Sequence, residues 1–389
     1  MRLLSASVAA TIAALTVPFA AWAASEQDSP KPVRAFVPPD QKYIGNAFAL
    51  REDAGQLGYV VTDGGQSARL HFVDLGANGK DEDIGAFEGQ IEAIRWLGPG
   101  RVLVVAHQNA GPKLVGQIFS ATGPADGLVG PADHIGVAMV AQQPVITTFT
   151  GTTGKAGIHT VAAFAPDDLR PLTTRTFTVD GRRQIDLHGE RATLLWWGDD
   201  FTIAAVRHPG QYDKARDLQL PDRFGRIDLL SGTLFDDAAL DPAGFARLAS
   251  IQRLHPGRST FVHVDSANRK LLLIDGVQMR DLAPARPVHT YDAATVASQI
   301  LGPGEVMVSL TVDPLNPDAV ARKKRDRPEL ELYTVNRSSG AMVRRVVLDL
   351  GYRPTSWQVV SGTVALLRKH RVFARGGVAL ELYRLPVSP

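Results

Sequence analysis

The chain has 389 residues, a hydrophobic content of 44%, a formal charge of +2 and no cysteine. This composition is ordinary for a globular protein with a sizeable core, and the nearly balanced charge argues against a dedicated nucleic-acid binder, which usually has a concentrated basic excess. The absence of cysteine excludes thiol nucleophiles, disulfides and thiolate metal sites.

The N-terminal segment has the pattern of a cleaved signal peptide. Arg2 gives a short positive region, residues 3–20 are mostly apolar, and the Ala-Trp-Ala sequence ending at Ala23 is the small-x-small pattern of a signal peptidase site. A membrane anchor is the alternative, but hydroxyl residues and a proline dilute the apolar run and no basic cluster follows it. We expect a signal peptide over 1–23, cleavage after Ala23, and a periplasmic or secreted protein of a Gram-negative bacterium with no remaining membrane span.

The rest of the chain has the pattern of an all-β protein. Residues 24–40 are rich in proline and charge, which predicts an extended leader. From residue 41 to 387, short apolar runs rich in β-branched residues alternate with turn signals, as in all-β sandwiches, barrels and propellers. The best helical pattern, FDDAALDPAGFARLASIQRL, is interrupted by Pro242 and Gly244, so we expect only a short helix in a connecting loop.

Two phrases recur within residues 41–387. LGPG occurs at Leu97 and at Leu301, each time between two apolar runs, and an extended segment ending in a small polar turn occurs as RLHFVDLGANG, RIDLLSGTLF and ELYTVNRSSGAMV. Four-stranded propeller blades of about 40–50 residues would fill this length with repeated units. We therefore predict an all-β propeller domain over 41–387 with about seven four-stranded blades, 6–8 being allowed. LGPG turns should join central strands of a blade, and the second phrase should join outer strands.

The order of several phrases resembles the N-terminal propeller of the prolyl oligopeptidase family, in the subgroup of exported bacterial peptidases. These phrases are ALREDAGQLGYVV, IEAIRWLGPGRVLVV, ILGPGEVMVSL and TSWQVVSGTVALLRKH. The resemblance covers about residues 39–385 and is shared in part by TolB-like propellers. It implies the propeller fold, with Trp96 and Trp357 largely buried between neighbouring sheets.

The resemblance does not carry over the catalytic activity. In that family the propeller is followed by an α/β-hydrolase domain with a Gly-x-Ser-x-Gly elbow, and none of the serines here, including Ser231, Ser339 and Ser361, lies in such a pattern. We therefore predict no catalytic residue and lean against an enzyme. The expected function is an exported, non-catalytic, monomeric propeller that binds a peptide, protein or polymer at its channel mouth.

Two alternatives remain open. One is a truncated or split prolyl-oligopeptidase-like serine peptidase without its hydrolase domain. The other is a propeller enzyme or lyase whose acid–base or metal site is formed on the axis by residues distant in sequence.

Charged clusters give one candidate site. A basic segment places five cations close together, and it is a candidate binding loop for a polyanion or membrane surface, with a solvated loop as the alternative; the cations are Arg322, Lys323, Lys324, Arg325 and Arg327. Asp81, Asp83 and Glu88 have partial calcium-loop spacing but lack the required glycine and glutamate. The ten histidines show no zinc motif, so no metal or cofactor site is assigned.

Overall fold

The computed structural model describes most of the chain between residues 31 and 385. The described ranges are 31–36, 43–51, 53, 55–62, 67–76, 79–107, 111–125, 127–140, 143–151, 156–187, 190–198, 200–237, 242–312, 329–349, 354–368 and 379–385. The predicted signal peptide and the predicted basic loop lie outside these ranges.

The described residues are almost entirely β, in antiparallel sheets that follow one another along the chain. A short strand, β1 (Arg34–Phe36), comes first and belongs to the last sheet. The first sheet consists of β2 (Tyr43–Leu50), β3 (Gln56–Thr62), β4 (Ser67–Asp74) and β5 (Asp81–Glu88). The second sheet consists of β6 (Gln90–Gly98), β7 (Arg101–His107), β8 (Leu114–Ser120), β9 (Gly123–Pro124) and β10 (Val129–Ala132).

The third and fourth sheets are joined into one sheet of nine strands, because β14 and β15 pair at two positions. The third sheet consists of β11 (His134–Val140), β12 (Gln143–Thr150), β13 (Gly157–Phe164) and β14 (Pro171–Val179). The fourth begins with β15 (Gln184–Leu187), β16 (Glu190–Gly198) and β17 (Ile203–His208). After a separate hairpin of β18 (Tyr212–Asp213) and β19 (Leu218–Gln219), it continues with β20 (Arg223–Asp228) and β21 (Leu234–Asp237).

The remaining sheets follow a helix, α1 (Pro242–Gln252). The fifth sheet has three strands, β22 (Thr260–Asp265), β23 (Lys270–Asp275) and β24 (Gln278–Leu282). Short 3-10 helices at Val288–Thr290 and Ala293–Thr295 lead to the sixth sheet, β25 (Ala297–Gly302), β26 (Glu305–Thr311), β27 (Glu329–Asn336) and β28 (Met342–Asp349). The seventh consists of β29 (Pro354–Val360), β30 (Thr363–Arg368), β31 (Ala379–Arg384) and β1.

The recurring turn phrases lie where the sequence predicts them. The LGPG turns join β6 to β7 and β25 to β26, which are the first two strands of the second and sixth sheets. The second phrase joins the last two strands of the first, fourth and sixth sheets. Both placements are confirmed, so each turn type has a constant position within its sheet.

A third repeat, LELY, becomes evident in the structure. It occurs in the third strands of the sixth and seventh sheets, and in both the tyrosine hydroxyl donates a hydrogen bond to the glutamate two residues earlier. Tyr333 bonds Glu331 at 2.6 Å and Tyr383 bonds Glu381 at 2.7 Å, with all four side chains buried. The repeat supplies a hydroxyl donor for a carboxylate that would be costly to bury without a partner.

The hydrophobic core is divided among the boundaries between consecutive sheets. Among the described residues, seven clusters of buried side chains occur, and each is shared by two neighbouring sheets. The first cluster joins Leu70 of the first sheet with Val104 of the second. The last joins Leu380 of the seventh sheet with Leu57 of the first, which closes the series into a ring.

The fifth sheet departs from the four-stranded pattern. Gly257 donates a backbone hydrogen bond to Trp197 (3.1 Å) and accepts one from Asp200 (2.8 Å), which places the start of β22 beside the end of β16. Arg337 donates to Asp275 on β23 (2.5 Å) and to Pro303 in the turn after β25 (3.1 Å). Strand β22 therefore starts where β16 and β25 end, and runs opposite to them. The fifth sheet lacks a strand in the position of the first.

Helix α1 precedes β22 in place of that strand. The predicted short helix is therefore present in the connection between two sheets, and it also buries Leu248 and Ile251 between the fourth and fifth sheets. Pro242 does not interrupt the helix because it is its first residue, where a missing N–H costs nothing and the fixed φ suits the helix. Within the described ranges, no helix is long and apolar enough to cross a membrane.

The tryptophans lie at sheet boundaries. Trp96 contacts the cluster between the first and second sheets and donates through Nε1 to the Ala49 carbonyl (2.9 Å), and Trp357 contacts the cluster between the sixth and seventh. Both were predicted at such boundaries, yet both are only partly buried. Trp196 and Trp197, which no sequence pattern distinguishes, are each 3% exposed and belong to the clusters on either side of the fourth sheet.

Candidate functional site

A cavity of about 580 Å³ lies between the third, fourth, fifth and sixth sheets. Its walls are the end of β11, the turn between β16 and β17, the segment 257–260 before β22, and part of β25. Three apolar side chains on these walls are exposed, namely Met139 (61%), Val140 (48%) and Ile300 (49%). Exposed apolar groups concentrated in a concave site are typical of a binding surface.

Strand β11 presents a free edge at this cavity. It pairs with β12 on one side and is the edge strand of its sheet. Val140 and Gln143 flank a two-residue hairpin connection, so they form a hydrogen-bonded pair, and the backbone groups of alternate residues point away from β12. The N–H and C=O groups of Val137 and Met139 therefore point to the free edge. The strand, HIGVAMV, has none of the lysines, prolines or acids that usually protect such an edge.

The turn between β16 and β17 holds two non-glycine residues in left-handed backbone conformation. Asp200 has a φ of 52° and Phe201 a φ of 65°, a conformation that is unusual for a bulky side chain. The turn is held by the two backbone hydrogen bonds to Gly257 and by stacking of the Phe201 ring on Phe149, with centroids 4.8 Å apart. Backbone strain of this kind persists only where the surroundings impose it, and it concentrates at binding sites.

Asp200 brings a carboxylate to the cavity wall. One of its oxygens lies 3.5 Å from Nε2 of His134, whose ring packs on Phe201. Partial removal from water opposes ionisation of this carboxyl, but His134 together with the guanidinium groups of Arg95 and Arg258 lowers the pKa of Asp200 below its usual value. The group is therefore an anion at neutral pH, with His134 as its nearest partner.

Arg258 brings a cation to the same wall. Its side chain is exposed and lines the cavity beside Ser259. Among the residues that the structure describes, no carboxylate forms an ion pair with this guanidinium and no acceptor hydrogen-bonds it. By contrast, Arg337 and Arg286 each bind carboxylates within the fold. Arg258 can therefore offer its donors to a bound molecule.

A second cavity of about 890 Å³ adjoins the first, and Ile300 lines both. It lies between the sixth and seventh sheets and reaches Leu50 of the first sheet. Here side-chain amides bridge neighbouring strands: Gln299 donates to the Val359 carbonyl (2.7 Å) and accepts from its N–H (2.8 Å), while Gln358 accepts from the Leu50 N–H (2.6 Å). We call the two cavities together the groove.

The predicted basic loop lies outside the described residues, but its flanking strands show where it is anchored. Thr311 at the end of β26 pairs with Leu330 near the start of β27, and the intervening segment contains the five cations. This end of the sixth sheet is opposite the LGPG turn at Pro303. The sequence therefore drew attention to one end of the sheet, whereas the groove includes residues towards the other.

The acidic residues considered for calcium do not converge. Asp81 accepts hydrogen bonds from Tyr59 and lies 3.0 Å from His71, while Asp83 pairs with Arg69. Across the described ranges, no group of three or more metal-ligating side chains is close enough to hold an ion. Two serines weighed as nucleophiles sit in turns, where Ser231 donates to Thr233 and Ser339 donates to Asn336.

Comparisons with known proteins show likeness in structure without likeness in sequence. No protein-family model matches the chain, and no curated protein matches its sequence significantly. Solved structures do match. The β-propeller domain of the Trilobed protease from Pyrococcus furiosus is 11% identical, with a TM-score of 0.45 over 88% of this chain and 95% of that chain.

Two further matches extend the range of neighbours. Acylaminoacyl peptidase from Pyrococcus horikoshii is 11% identical, with a TM-score of 0.44 over 89% of this chain and 52% of that one, so the present chain spans about half its length. Virginiamycin B lyase from Staphylococcus aureus is 10% identical, with a TM-score of 0.41 over 90% and 98% of the two chains. The first of these neighbours is the propeller domain of a protease and the second is a peptidase, the classes of protein that the sequence resembles.

Proposed function

We propose that this chain is an exported β-propeller of seven blades that binds an extended peptide in the groove and has no catalytic activity of its own. The seven sheets correspond to seven blades, supported by the ring of seven shared core clusters. Strand β1 completes the seventh blade by pairing with β31, as propellers close when the chain returns to its start. Export rests on the signal-peptide pattern that ends at Ala23.

The free edge of β11 is the observation that carries the binding proposal. An extended peptide can add to an exposed strand edge through main-chain hydrogen bonds, with specificity from pockets for alternate side chains. Val137 and Met139 offer the backbone groups, and the cavity beside them offers the space. Exposed Met139, Val140 and Ile300 would contact apolar side chains of the peptide.

The lining of the groove favours a peptide over a carbohydrate polymer. Both cavities are lined by aliphatic, hydroxyl, amide and charged residues, and neither lining includes an aromatic side chain among the described residues. Flat sugar faces are usually bound on aromatic rings, whereas aliphatic pockets beside a strand edge suit peptide side chains.

The test is binding of a defined peptide pool to the purified mature protein. The pool contains N-acetylated hexapeptides randomised over valine, leucine, isoleucine, phenylalanine, serine and threonine, and the retained fraction is measured by equilibrium dialysis with mass spectrometry. We expect retention that is lost in Met139→Lys, because the long cation would obstruct the strand edge. Amide hydrogen exchange at Val137 and Met139 should slow when the pool is added.

Val343→Lys is the matched control. Val343 is also an exposed apolar residue on an edge strand (56% exposed, on β28), but it does not line the groove. It should bind like the unaltered protein. Absence of retention by the unaltered protein, or equal retention by Met139→Lys, would overturn the proposed function.

A further inference from the structure

We propose that the groove recognises the free carboxyl terminus of its peptide, with the guanidinium of Arg258 binding the terminal carboxylate; this rests on the proposed peptide binding. The relevant geometry is the position of Arg258 on the same cavity wall as segment 257–260, facing the cavity into which the free edge of β11 opens. A peptide paired with that edge would have its end within this cavity.

The charge distribution around Arg258 supports a carboxylate as the occupant. Its guanidinium has no ion-pair partner among the described residues, so a bound anion would not have to displace one. The carboxylate of Asp200 lies 3.5 Å from Nε2 of His134, and it is close enough to Arg258 to interact with its charge without forming an ion pair with it among the described contacts. A planar guanidinium can bind a carboxylate through two parallel hydrogen bonds, which a lysine cannot do.

Hydroxyl groups beside Arg258 complete the polar end of the cavity. Ser298 on β25 accepts a hydrogen bond from the Val262 N–H (3.2 Å), so its own proton can be directed towards a ligand oxygen. Ser259 also lines the cavity. The polar end therefore combines Arg258 with hydroxyl donors and with two carboxylates that have partners of their own, since Asp200 lies 3.5 Å from His134 and Asp228 accepts hydrogen bonds from the backbone N–H groups of Leu230 and Ser231. Met139 and Ile300 provide the apolar end. This arrangement suits a peptide with an apolar terminal residue and a free carboxylate.

The experiment compares two versions of the hexapeptide pool described above, one with free carboxyl termini and one with carboxamide termini. Because the amide removes the charge and keeps the shape, we expect the free-acid pool to bind about ten-fold or more tightly. Arg258→Gln should abolish the preference for the free acid, so that the ratio of affinities for the two pools falls to about one. Arg258→Lys should recover part of the difference, since it restores the charge without the paired hydrogen bonds.

Arg253→Gln is the control, because Arg253 is exposed and near in sequence but does not line the cavity. It should leave the ratio between the two pools unchanged, and circular dichroism should show all variants folded. Equal binding of both pools would overturn the carboxylate inference and leave peptide binding intact. Binding of neither pool would overturn the proposed function and this inference with it. A preference for free amino termini, seen with a pool lacking the acetyl group, would assign the site to Asp200 instead and contradict the role of Arg258.

Discussion

The fifth and sixth sheets differ in the elements that they contribute to the groove. The sixth has four strands, and its first strand, β25, ends in an LGPG turn. The fifth has three strands, with α1 and the segment 257–260 preceding β22. The sixth sheet repeats the pattern of the second, whereas the fifth departs from it next to the 580 Å³ cavity.

The difference shows how a repeated fold acquires an individual site. Where every sheet has the same first strand, neighbouring strands are bridged by residues such as Gln299 and little distinguishes one boundary from the next. Where the strand is replaced, three features come together: a turn with left-handed residues, a free strand edge, and Arg258, which forms no ion pair with any described residue. Departures from local regularity are expected at functional sites, because function constrains residues in ways that the fold does not require.

The largest loss of stability should come from a substitution at the boundary between the third and fourth sheets. Trp197 is 3% exposed and contacts Phe149 and Phe177, so Trp197→Ala should lower the free energy of unfolding by about 3–5 kcal/mol. Trp357→Ala, at the regular boundary between the sixth and seventh sheets, should cost less because that indole is only half buried. Urea unfolding followed by fluorescence measures both. Equal losses would show that burial does not distinguish these positions.

Helix α1 occupies the place of a first strand in the fifth sheet, and it should contribute to the free energy of unfolding about as much as a strand does. Leu248 on α1 is 1% exposed and Leu310 on β26 is fully buried. Each truncation to alanine should cost about 2–5 kcal/mol, since both leave a cavity in a sheet boundary. If the loss of unfolding free energy in Leu248→Ala is less than a third of the loss in Leu310→Ala, α1 adds little to the core. The helix would then not be equivalent to a strand of the sixth sheet.

The ion pair that joins the two sheets should give a pH-dependent contribution. Burial opposes ionisation of Asp275, but hydrogen bonds from Arg337 and Thr260 outweigh it and lower its pKa. A carboxyl with a lowered pKa stabilises the fold above its unfolded value near 4, and this stabilisation is lost as the pH falls further. Asp275→Asn should cost about 1–3 kcal/mol at pH 7.

The pH profile distinguishes this pair from general acid denaturation. Unfolding free energy measured from pH 7 to pH 3 should fall less steeply in Asp275→Asn than in the unaltered protein, because the variant has already lost the contribution that acid removes. Asp167→Asn is a suitable control, since this carboxylate pairs with Arg101 but is 82% exposed. Parallel profiles for Asp275→Asn and the unaltered protein would contradict the assignment.

A smaller effect should come from the glycine that holds the strained turn. Gly257 has a φ of 79°, and a Cβ there would lie 2.8 Å from the Phe201 ring. Gly257→Ala should cost about 1–2 kcal/mol and weaken peptide retention, because the Asp200 turn must shift. Gly302→Ala in the sixth sheet, where a Cβ meets no atom within 4 Å, should leave both measurements nearly unchanged. Thermal melting and the dialysis assay test the pair.

No effect is expected from a serine-directed probe. Ser259 and Ser298 line the groove beside the fifth and sixth sheets, but neither lies in a Gly-x-Ser-x-Gly elbow. A fluorophosphonate should therefore leave the mature protein unlabelled, and peptide or ester turnover should match buffer. Stoichiometric labelling of one serine that disappears on heat denaturation would show that the chain is an enzyme, and would favour the peptidase-like alternative.

Much of the fold could be predicted from the sequence because its signals are local. The LGPG turns and the polar turns of the outer hairpins specify a position within a sheet through backbone conformation alone, as Gly100 with its φ of 65° shows. Short apolar runs rich in β-branched residues predicted the strands, such as β7, which is buried along most of its length. The role of α1 was missed because Pro242 was interpreted as an interruption, although the first turn of a helix accepts proline.

The groove could not be predicted because its residues come from distant parts of the chain. Met139, Arg258 and Ile300 belong to three different sheets, and no spacing in the sequence relates them. In the sequence, Arg258 cannot be distinguished from other exposed arginines, because only the structure shows that no described carboxylate forms an ion pair with it. The four-residue connection between β16 and β17, DDFT, contains no glycine or asparagine although Asp200 and Phe201 have left-handed conformation, so no signal in the sequence predicted this turn.

The pairing of β1 with β31 has a consequence for how the chain folds. Arg34 pairs with Leu382, and Val33 donates to the carbonyl of the same residue, so the seventh sheet gains its outer strand from the other end of the sequence. Contacts of such long sequence separation form late, since their loop-closure entropy must be overcome first. As the chain emerges from its amino end, β1 has to wait for β31 to be made. Until the two strands pair, the edge of β1 stays open to pairing with another chain, so the slowest step of folding should also be the one most sensitive to protein concentration.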